Sequence, residues 1–485
     1  MIFVAVFCTV VAFVVNKVNN KYLHHQASIE WFGNQKVSTA DDASYLRPAD
    51  NFLDKGDWKD NSIGYSSYYQ RTPGYGILYL LFKLIFNQNA IGFLLFFQTI
   101  LFGVSVYWFG KIAFLLSHQP KTTLIFQLIY GLIPSSYGFV FYTITESITP
   151  FLMLGYLYEL VKLYQNIDYK KHHVILALFG FVMVLVRPHL IPFVLIYPLI
   201  VLFKKGVTQS VFKQIILYFL ISFFGLGVWM IRGHKISGHF IGLASIYDNT
   251  NNSPYRPTHY ALGNLYRIWE YQPEKLHQSL VPIWMNTITG EPQEKDISNA
   301  VNRLPGYITD FIPKNKWNNL FTDYQNTIKT QKTYFDKHLP MPETLSDEET
   351  QLISKIDSIT SVLKRKFWFR NHFITPIKSY RKTAIHSNLN LYIFQQQFRG
   401  SLLVELLRYF SFTLFSLSIF ISLWLWLFRF DVLIRGVSFA VFSYTFYLVY
   451  FQRMNETRYM HPIYPVALLL MVFLVSKIKT WKLRR

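Results

Sequence analysis

The chain has 485 residues, of which 51% are hydrophobic, 18% aromatic and only 15% charged. Soluble domains carry roughly 25% charged residues, so this composition argues against a soluble protein and favours one that lies in a membrane. The net charge of +21 is spread over short loops and the C-terminal tail rather than over one compact basic face, which argues against a nucleic-acid partner.

The first predicted element is a transmembrane helix. Residues Ile2 to Val15 form an apolar run without the basic start or the small-residue cleavage site of a signal peptide. The run is about 22 Å long at 1.5 Å per residue, which is short for a span, so either the bilayer thins around it or the true start lies upstream. Cys8 is the single cysteine, which excludes a disulfide within the chain and a cysteine-based zinc site.

Further apolar runs follow a polar segment, 16–70. Gly74 to Phe86 is too short for a span and predicts an interfacial helix. Arg187-Pro188 interrupts the stretch 174–203 and predicts two short helices joined by a turn, because arginine is costly at mid-membrane and proline restricts the residue before it. The other predicted spans cover residues 90–116, 122–141, 146–164, 213–231, 401–428, 433–452 and 461–478.

These elements predict an all-α polytopic membrane protein with about ten transmembrane helices. We divide it into an N-terminal transmembrane module (1–232, with a first outer loop at 16–75), an extracytoplasmic region (233–400) and C-terminal helices with a basic cytoplasmic tail (401–485). In the extracytoplasmic region, an apolar stripe predicts amphipathic helices lying on the outer membrane surface. The stripe consists of Leu352, Ile356, Ile359 and Leu363.

The positive-inside rule orients the chain with its C-terminal tail in the cytoplasm, although Lys17 and Lys21 do not fit. This orientation gathers charged residues at the outer face, where polar groups at membrane depth mark a functional site. Carboxylates there suit a general base or a metal, and arginines suit a phosphate. The gathered residues are Asp41, Asp42, Arg71, Glu146, Arg187, His189, Arg232, Arg453, Glu456 and Arg458.

Each residue also has a purely structural interpretation. Thr39 could cap a helix with Asp42 in the capping-box position, and Glu146 could be an acidic first-turn residue. Arg232 and Arg458 could anchor lipid headgroups, and Arg187-Pro188 could be a turn signal alone. The histidine pairs 24–25 and 172–173 match no zinc spacing and fall on opposite sides of the membrane, which argues against a metal site.

The order of these motifs resembles the GT-C superfamily of polyprenyl-phosphate-sugar-dependent glycosyltransferases, in the branch of the lipid A aminoarabinose transferase and the protein O-mannosyltransferases. The match covers residues 1–240 and the last span, and residues 240–400 match in character alone. Asp42 and Gly233 depart from the family pattern, which has Glu and Asn there, so subfamily and sugar stay open. The matching motifs are Asp41-Asp42 with Tyr45, Arg71 before Pro73-Gly74-Tyr75, Thr145-Glu146, Arg187-Pro188, Trp229-Met230-Ile231-Arg232 and Glu456-Thr457-Arg458.

The resemblance implies a GT-C-like fold, with residues 1–232 as the catalytic module, and an inverting sugar transfer from a polyprenyl-phosphate donor to a hydroxyl on a lipid, glycan or protein. Asp41 would be the general base, and Asp42, Tyr45 and Glu146 would bind substrate. No cofactor is firmly predicted, although the carboxylates leave Mg²⁺ or Mn²⁺ open. The residues expected to bind phosphate are Arg232 and Arg458, with Arg71 and Arg187 as weaker candidates.

The expected location is a prokaryotic inner membrane, with the site facing the periplasm or exterior. Two other functions compete with the transferase. An O-antigen polymerase or ligase would also be a multi-spanning enzyme, but it would not need the early Asp41-Asp42 motif. A lipid-sugar flippase or transporter would show paired halves and broken helices near mid-membrane, a pattern that the sequence does not favour.

Overall fold

The computed structural model describes residues 1–24, 30–37, 39–62, 65–68, 71–238, 240, 256–269, 273–337, 339, 342, 344–385, 391–428, 431–453 and 457–482. Most of these residues are helical, and the strands among them form two short antiparallel hairpins. The predicted fold class, an all-α polytopic membrane protein, is confirmed.

The first outer loop contains regular structure that follows helix α1 (Ile2–Asn19). Its elements are β1 (Glu30–Phe32), β2 (Gln35–Val37), α2 (Ala40–Lys55), β3 (Asp60–Ser62), β4 (Tyr65–Ser67) and α3 (Gly74–Phe86). β1 pairs with β2 and β3 pairs with β4, in registers that place Trp31 opposite Lys36 and Asn61 opposite Ser66. The predicted short apolar helix at Gly74–Phe86 is present with those bounds.

Helix α2 is fixed at both ends and tied to both hairpins. Thr39 caps its N-terminus, and Gly56 ends it in the left-handed conformation at φ +73°, which glycine adopts without steric cost. Arg47, near its middle, places Nη2 2.6 Å from Glu30 on β1 and Nη1 3.1 Å from Asp60 on β3. The orientation of the first turn of α2 is therefore set by the whole loop.

The N-terminal bundle continues with helices of unequal length. They are α4 (Ala90–Ser117), α5 (Pro120–Leu132), α6 (Pro134–Tyr137), α7 (Thr149–Gln165), α8 (Lys170–Val186), α9 (Ile191–Val194), α10 (Ile196–Lys205) and α11 (Gln209–Ser237). The predicted span 122–141 is shorter than expected, because Ile133 precedes a proline and adopts an extended conformation that ends α5. The stretch 133–148, which follows α5, is buried and largely irregular, and it lies at one end of the bundle.

The extracytoplasmic region has a hydrophobic core of its own. Its helices are α12 (Pro257–Tyr266), α13 (Pro273–Thr289), α14 (Glu294–Asn302), α15 (Gly306–Thr309), α16 (Lys314–Ile328), α17 (Lys332–Asp336), α18 (Asp347–Lys366) and α19 (Thr375–Ile385). The expected apolar stripe lies on α18, but it faces Trp317, Phe321 and the other side chains of this core. Helices α12 to α16 and α18 thus bury apolar side chains against one another.

A buried ion pair joins the start of α12 to the start of α18. Arg256 and Glu349 bond through two N···O contacts of 2.6 and 2.7 Å, and their side chains are only 2% and 8% exposed. Gln331 donates a further hydrogen bond of 3.1 Å to Glu349. An arginine so deeply buried depends on its carboxylate partner, because an uncompensated charge in the protein interior is costly.

Glu349→Gln should therefore destabilise the extracytoplasmic domain by about 3 kcal/mol, since it leaves the Arg256 charge buried without a counter-charge. The measurement is the unfolding midpoint in detergent, followed by tryptophan fluorescence, to which Trp269, Trp284 and Trp317 of the same core contribute. Glu348→Gln is the matched control, because Glu348 is the exposed neighbour on the same helical turn. Equal midpoints for both variants would contradict the structural role of the pair.

The C-terminal helices complete the membrane bundle. They are α20 (Leu402–Leu427), α21 (Val432–Phe446, extended by a π-helical turn to Gln452) and α22 (Tyr464–Lys482). Helix α22 packs against α4, α5, α7, α20 and α21, so it lies at the centre of the bundle. A 3-10 turn, Thr457–Ile463, leads directly into α22 and brings its side chains to the outer end of the N-terminal helices.

Seven helical segments among the described residues are long and apolar enough to cross a membrane. Three more of the predicted spans correspond to α5, α7 and α8, which have 13, 17 and 17 residues. These three are shorter than the 18 residues of the shortest of the seven segments, so the structure supports seven of the ten predicted crossings by length and composition. The side chains at 133–148, at the 187–189 turn and at 457–463 all lie at one end of these helices, the end that the positive-inside rule predicts to face outward.

Candidate active site

Asp41 and Asp42 occupy the first turn of α2, and Asp42 points into the protein. Its carboxylate is 2% exposed and accepts hydrogen bonds of 2.6 and 2.9 Å from the backbone N–H and hydroxyl of Thr143. Thr39 donates to its other oxygen. Asp42 therefore holds the start of α2 against the stretch 133–148, and the capping interpretation of Thr39 is confirmed.

Asp41 points the opposite way and lies between two arginines. Arg71, just before α3, contacts its Oδ1, and Nη1 of Arg458 lies 2.5 Å from its Oδ2. The three side chains are 30%, 28% and 16% exposed, so they are half-buried at the wall of a cavity. Residues more than 400 positions apart along the chain thus meet at one carboxylate.

Burial and charge act on the Asp41 carboxyl in opposite directions. Burial raises its pKa, but the guanidinium groups of Arg71 and Arg458 lower it further than burial raises it. The net pKa lies below the ordinary value of 3.8, so Asp41 is ionised at neutral pH. In this arrangement the Asp41 carboxylate can accept a proton, and the guanidinium groups of Arg71 and Arg458 can bind an anion.

Glu146 and Arg187 form a second ion pair nearby. Arg187 follows α8, and its Nη1 lies 3.1 Å from Oε1 of Glu146, with both side chains at most 7% exposed. Thr145 donates to the other Glu146 oxygen at 3.1 Å and accepts from Arg187 at 3.3 Å. Burial raises the pKa of Glu146, whereas Arg187 and Arg458 lower it, with a net decrease.

The two ion pairs border one cavity of about 590 Å³. Six of the eight site residues predicted from the sequence line it. Its lining comprises Asp41, Tyr45, Arg71, Thr72, Thr145, Glu146, Val186, Arg187, Pro188, His189, Pro192, Ser443, Tyr444, Tyr447, Arg458 and Tyr459. The cavity lies at the N-terminal end of α7 and the C-terminal ends of α8 and α21, bordered by the first turn of α2.

Arg71 is held by contacts besides the one with Asp41. Its Nε donates a 3.1 Å hydrogen bond to the hydroxyl of Ser44. Its guanidinium lies 4.8 Å from the centre of the Tyr45 ring, a distance at which the ring attracts a cation. Tyr45 in turn packs edge-on against the buried Tyr75, with ring centres 5.6 Å apart. The predicted substrate-binding Tyr45 thus lines the cavity and also orients Arg71.

Arg232, predicted to bind phosphate, lies away from the described lining of the cavity. Its guanidinium donates to the backbone carbonyls of Tyr68 at 3.0 Å and Trp58 at 2.6 Å, and it lies 4.7 Å from the Trp229 ring. These contacts tie the outer end of α11 to the first outer loop. Glu456 of the last motif falls outside the described residues.

The sequence reasoning missed the tyrosines of the cavity wall. The Tyr459 hydroxyl accepts a 2.9 Å hydrogen bond from Arg458, and its ring lies 5.7 Å from the Arg187 guanidinium. Tyr444 and Tyr447 come from the outer end of α21. Their spacing of three along one helix face was the available signal, but aromatic residues make up 18% of this chain, which hides it.

His189 and Arg453, both placed at the outer face by the sequence, differ in position. His189 lines the cavity and contacts the side chain of Gln452 at 3.0 Å. Arg453 instead donates to the backbone and side-chain oxygens of Asn371, both at 2.8 Å, and to the carbonyl of Arg267. Arg453 therefore joins the extracytoplasmic domain to the end of α21.

The carboxylates do not fit a divalent metal. Among the described residues, no three His, Cys, Asp or Glu side chains come close enough to share one ion. Asp41 and Glu146 each face guanidinium groups, and Asp42 faces threonines. A cation beside these arginines would be repelled, so the donor set suits an anion rather than Mg²⁺ or Mn²⁺.

Comparison with known proteins finds similarity at the level of the fold. No protein-family model and no curated protein matches the sequence. Among solved structures, the chain is similar to the archaeal oligosaccharyltransferase AglB from Archaeoglobus fulgidus in complex with an inhibitory peptide and a dolichol-phosphate, with 12% identity and a TM-score of 0.47. That match covers 98% of this chain and 50% of AglB, so this chain spans about half the length of that enzyme.

The chain is also similar to ArnT from Cupriavidus metallidurans bound to undecaprenyl phosphate, with 12% identity and a TM-score of 0.34. This match covers 97% of the chain and 77% of ArnT. Both solved enzymes are members of the GT-C superfamily, the class that the order of motifs resembles. At these identities and TM-scores the similarity concerns the arrangement of helices, and substrate and mechanism have to be argued from the site itself.

Proposed function

We propose that the protein transfers a sugar from a polyprenyl-phosphate carrier to a hydroxyl acceptor at the extracytoplasmic face of the membrane. The observation that carries this proposal is the position of Asp41, which lines one cavity together with Arg71 and Arg458. A carboxylate can take a proton from a hydroxyl, and arginines can hold a phosphate, so the cavity combines the two chemical functions that the transfer needs.

The reaction forms a bond between the acceptor oxygen and the anomeric carbon, and it breaks the bond between that carbon and the phosphate oxygen. The acceptor proton passes to Asp41 as attack proceeds, which requires the hydroxyl to lie about 3 Å from the carboxylate. Negative charge grows on the departing lipid phosphate, and Arg458 and Arg71 are placed to stabilise it. Attack from the side opposite the phosphate inverts the configuration of the sugar.

Glu146 and Arg187 serve substrate binding in this proposal. Both line the cavity as a buried pair, and the charged oxygens and N–H groups that face it can bond sugar or acceptor hydroxyls. The tyrosines 444, 447 and 459 offer apolar ring faces beside these polar groups. Asp42 and Arg232 act indirectly here, because each fixes an element of the first outer loop rather than facing the cavity.

The location of the cavity also fits a lipid-linked donor. It lies at the outer ends of membrane-spanning helices, where a prenyl chain can stay in the bilayer while its phosphate reaches the arginines. The positive-inside rule supports an orientation with this end of the bundle outside the cytoplasm, and we propose a prokaryotic inner membrane with the site facing the periplasm. A nucleotide sugar is not required on that face.

The test uses purified protein in lipid nanodiscs, a panel of radiolabelled undecaprenyl-phosphate sugars, and a membrane extract that supplies acceptors. The expected result is release of free undecaprenyl phosphate together with labelled product. Arg458→Gln should lower turnover by roughly 10²-fold, as the loss of a group that stabilises developing charge does. Arg365→Gln is the control, because it removes an exposed arginine of α18 outside the cavity.

Three other outcomes would overturn the proposal. Consumption only of diphosphate-linked glycans that grow in length would favour a polymerase or ligase. Movement of an intact lipid-linked sugar between leaflets, without product, would favour a transporter. Equal turnover of the Arg458→Gln and Arg365→Gln variants would show that the cavity is not where the phosphate leaves.

A further inference from the structure

The described structure shows the proposed base in a state that is not ready to act. Each oxygen of the Asp41 carboxylate already accepts a guanidinium contact, Oδ1 from Arg71 and Oδ2 from Arg458. A general base works best with an oxygen directed at the incoming hydroxyl. The contact with Arg458, in which Nη1 lies 2.5 Å from Oδ2, points that oxygen at a cation instead.

The same arginines are the cations to which a donor phosphate would bind. Arg187 is less suited to exchange, because it is paired with Glu146 at 3.1 Å and both side chains are almost fully buried. Arg71 and Arg458 are more exposed and face the cavity. A phosphate entering the cavity therefore meets arginines whose contacts are already taken by a carboxylate of the protein.

The two arginines differ in how they are held. Arg71 also bonds Ser44 and packs on Tyr45, so its position beside Asp41 is fixed by its own surroundings. Arg458 lies on the short 3-10 turn before α22; its Nη1 contacts Asp41, its Nη2 donates to the Tyr459 hydroxyl, and its guanidinium lies 4.8 Å from the centre of the Tyr459 ring. The contacts with Ser44 and Tyr45 tie Arg71 to α2, the helix that carries Asp41, whereas the contacts with Tyr459 lie on the same turn as Arg458. Arg458 can therefore leave Asp41 and keep its contacts with Tyr459, and exchange of one anion for another is easier at Arg458 than at Arg71.

We propose that Asp41 is an internal stand-in for the donor phosphate: its carboxylate pairs with Arg458 until the donor phosphate binds Arg458 and displaces Asp41. The displaced carboxylate keeps Arg71 and gains a free oxygen for the acceptor hydroxyl. It also becomes a stronger base, because it has lost one neighbouring positive charge and stands near the negative charge of the donor. This inference rests on the proposed function, and it makes the strength of the base depend on donor binding.

The test measures binding of undecaprenyl phosphate, without sugar, to the full chain in nanodiscs. If the phosphate competes with Asp41 for Arg458, Asp41→Asn should bind it roughly tenfold more tightly, within the usual range of coupling between ligands. Asp50→Asn is the matched control. Asp50 is a carboxylate on the same helix that pairs with Lys83 at 3.6 Å, away from the cavity, and its loss should leave the affinity unchanged.

A second pair of variants shows whether the gain acts through Arg458. Arg458→Gln should weaken binding, and adding Asp41→Asn to it should restore little, because no shared arginine is left to release. Stability provides an independent readout. Asp41→Asn should lower the unfolding midpoint of the unliganded protein while raising its affinity for the lipid phosphate, and a general loss of structure would lower both.

Unchanged or weaker binding by Asp41→Asn, together with weaker binding by Arg458→Gln, would overturn the stand-in role and leave the proposed function in place. Absence of undecaprenyl phosphate binding by the wild-type protein would instead contradict the proposed function. The two proposals therefore fail through different measurements.

Discussion

Asp41→Asn should reduce turnover of an undecaprenyl-phosphate-linked sugar by roughly 10³-fold, which is the usual contribution of a positioned general base. Asparagine keeps the shape of the side chain but cannot accept the hydroxyl proton. The protein should still fold, because Asp41 is 30% exposed and Arg71 retains its contacts with Ser44 and Tyr45. Initial rates at saturating donor measure the effect, and Asp50→Asn should turn over like the wild type.

The same carboxylate sets the acid limb of the pH profile. In the free protein the pKa of Asp41 lies below its ordinary value, because Arg71 and Arg458 outweigh burial. Since kcat/KM reports the free enzyme, the acid limb of kcat/KM should lie below the ordinary carboxyl pKa of 3.8, and kcat/KM should fall as the pH drops through the lowered pKa of Asp41. The stabilisation from these ion pairs follows the same sign, present above the unfolded pKa and lost as pH falls through the lower folded value.

The kcat profile reports the complex with donor and should behave differently. Displacement of Asp41 from Arg458 raises the pKa of the carboxylate, so the acid limb of kcat should lie at higher pH than that of kcat/KM. Coincident limbs would contradict the displacement, and a full rate for Asp41→Asn would contradict its role as base. The donor phosphodiester does not titrate in this range, so the limb belongs to the protein.

The sequence predicted six of the residues that line the cavity, and it could not predict which way neighbouring side chains would point. Asp41 and Asp42 are adjacent on a helix, and successive residues there differ by about 100° in direction. One therefore faces the cavity while the other faces Thr143. Choosing between them required knowing where α2 lies relative to the stretch 133–148, which hydrophobic periodicity does not specify.

Arg232 is a second residue whose contacts could not be predicted from the sequence. Its placement near the C-terminal end of a long helix agrees with the structure, in which α11 ends at Ser237. The sequence carries no sign that the backbone carbonyls of Tyr68 and Trp58 lie within reach of it. A long flexible side chain at the membrane boundary can bond a ligand or a carbonyl, and only the position of the first outer loop decides between them.

The extracytoplasmic region shows how an amphipathic stripe can be interpreted in two ways. The stripe on α18 was visible in the sequence, but a stripe does not specify whether lipid or another helix covers it. In the structure, Trp317, Leu320 and Tyr324 of α16 supply the covering surface within a separate core. The apolar residues of α16 recur three or four apart, as those of α18 do, so both stripes were present in the sequence, but their pairing was not specified by it.

Glu146→Ala should have the second large effect, on stability and turnover together. It would leave the charge of Arg187 buried with a side-chain exposure of 7%, and breaking such a pair typically costs about 3–5 kcal/mol. The unfolding midpoint should fall clearly, and turnover should fall roughly 10²-fold or more as the cavity wall loosens.

The double variant Glu146→Leu with Arg187→Met separates the two effects, because it removes both charges while keeping bulk. If the pair binds substrate as well as stabilising the fold, the double variant should regain much of the midpoint but none of the turnover. Full activity in the double variant would reduce the pair to a structural role, and a wild-type midpoint for Glu146→Ala would show that Arg187 finds another partner.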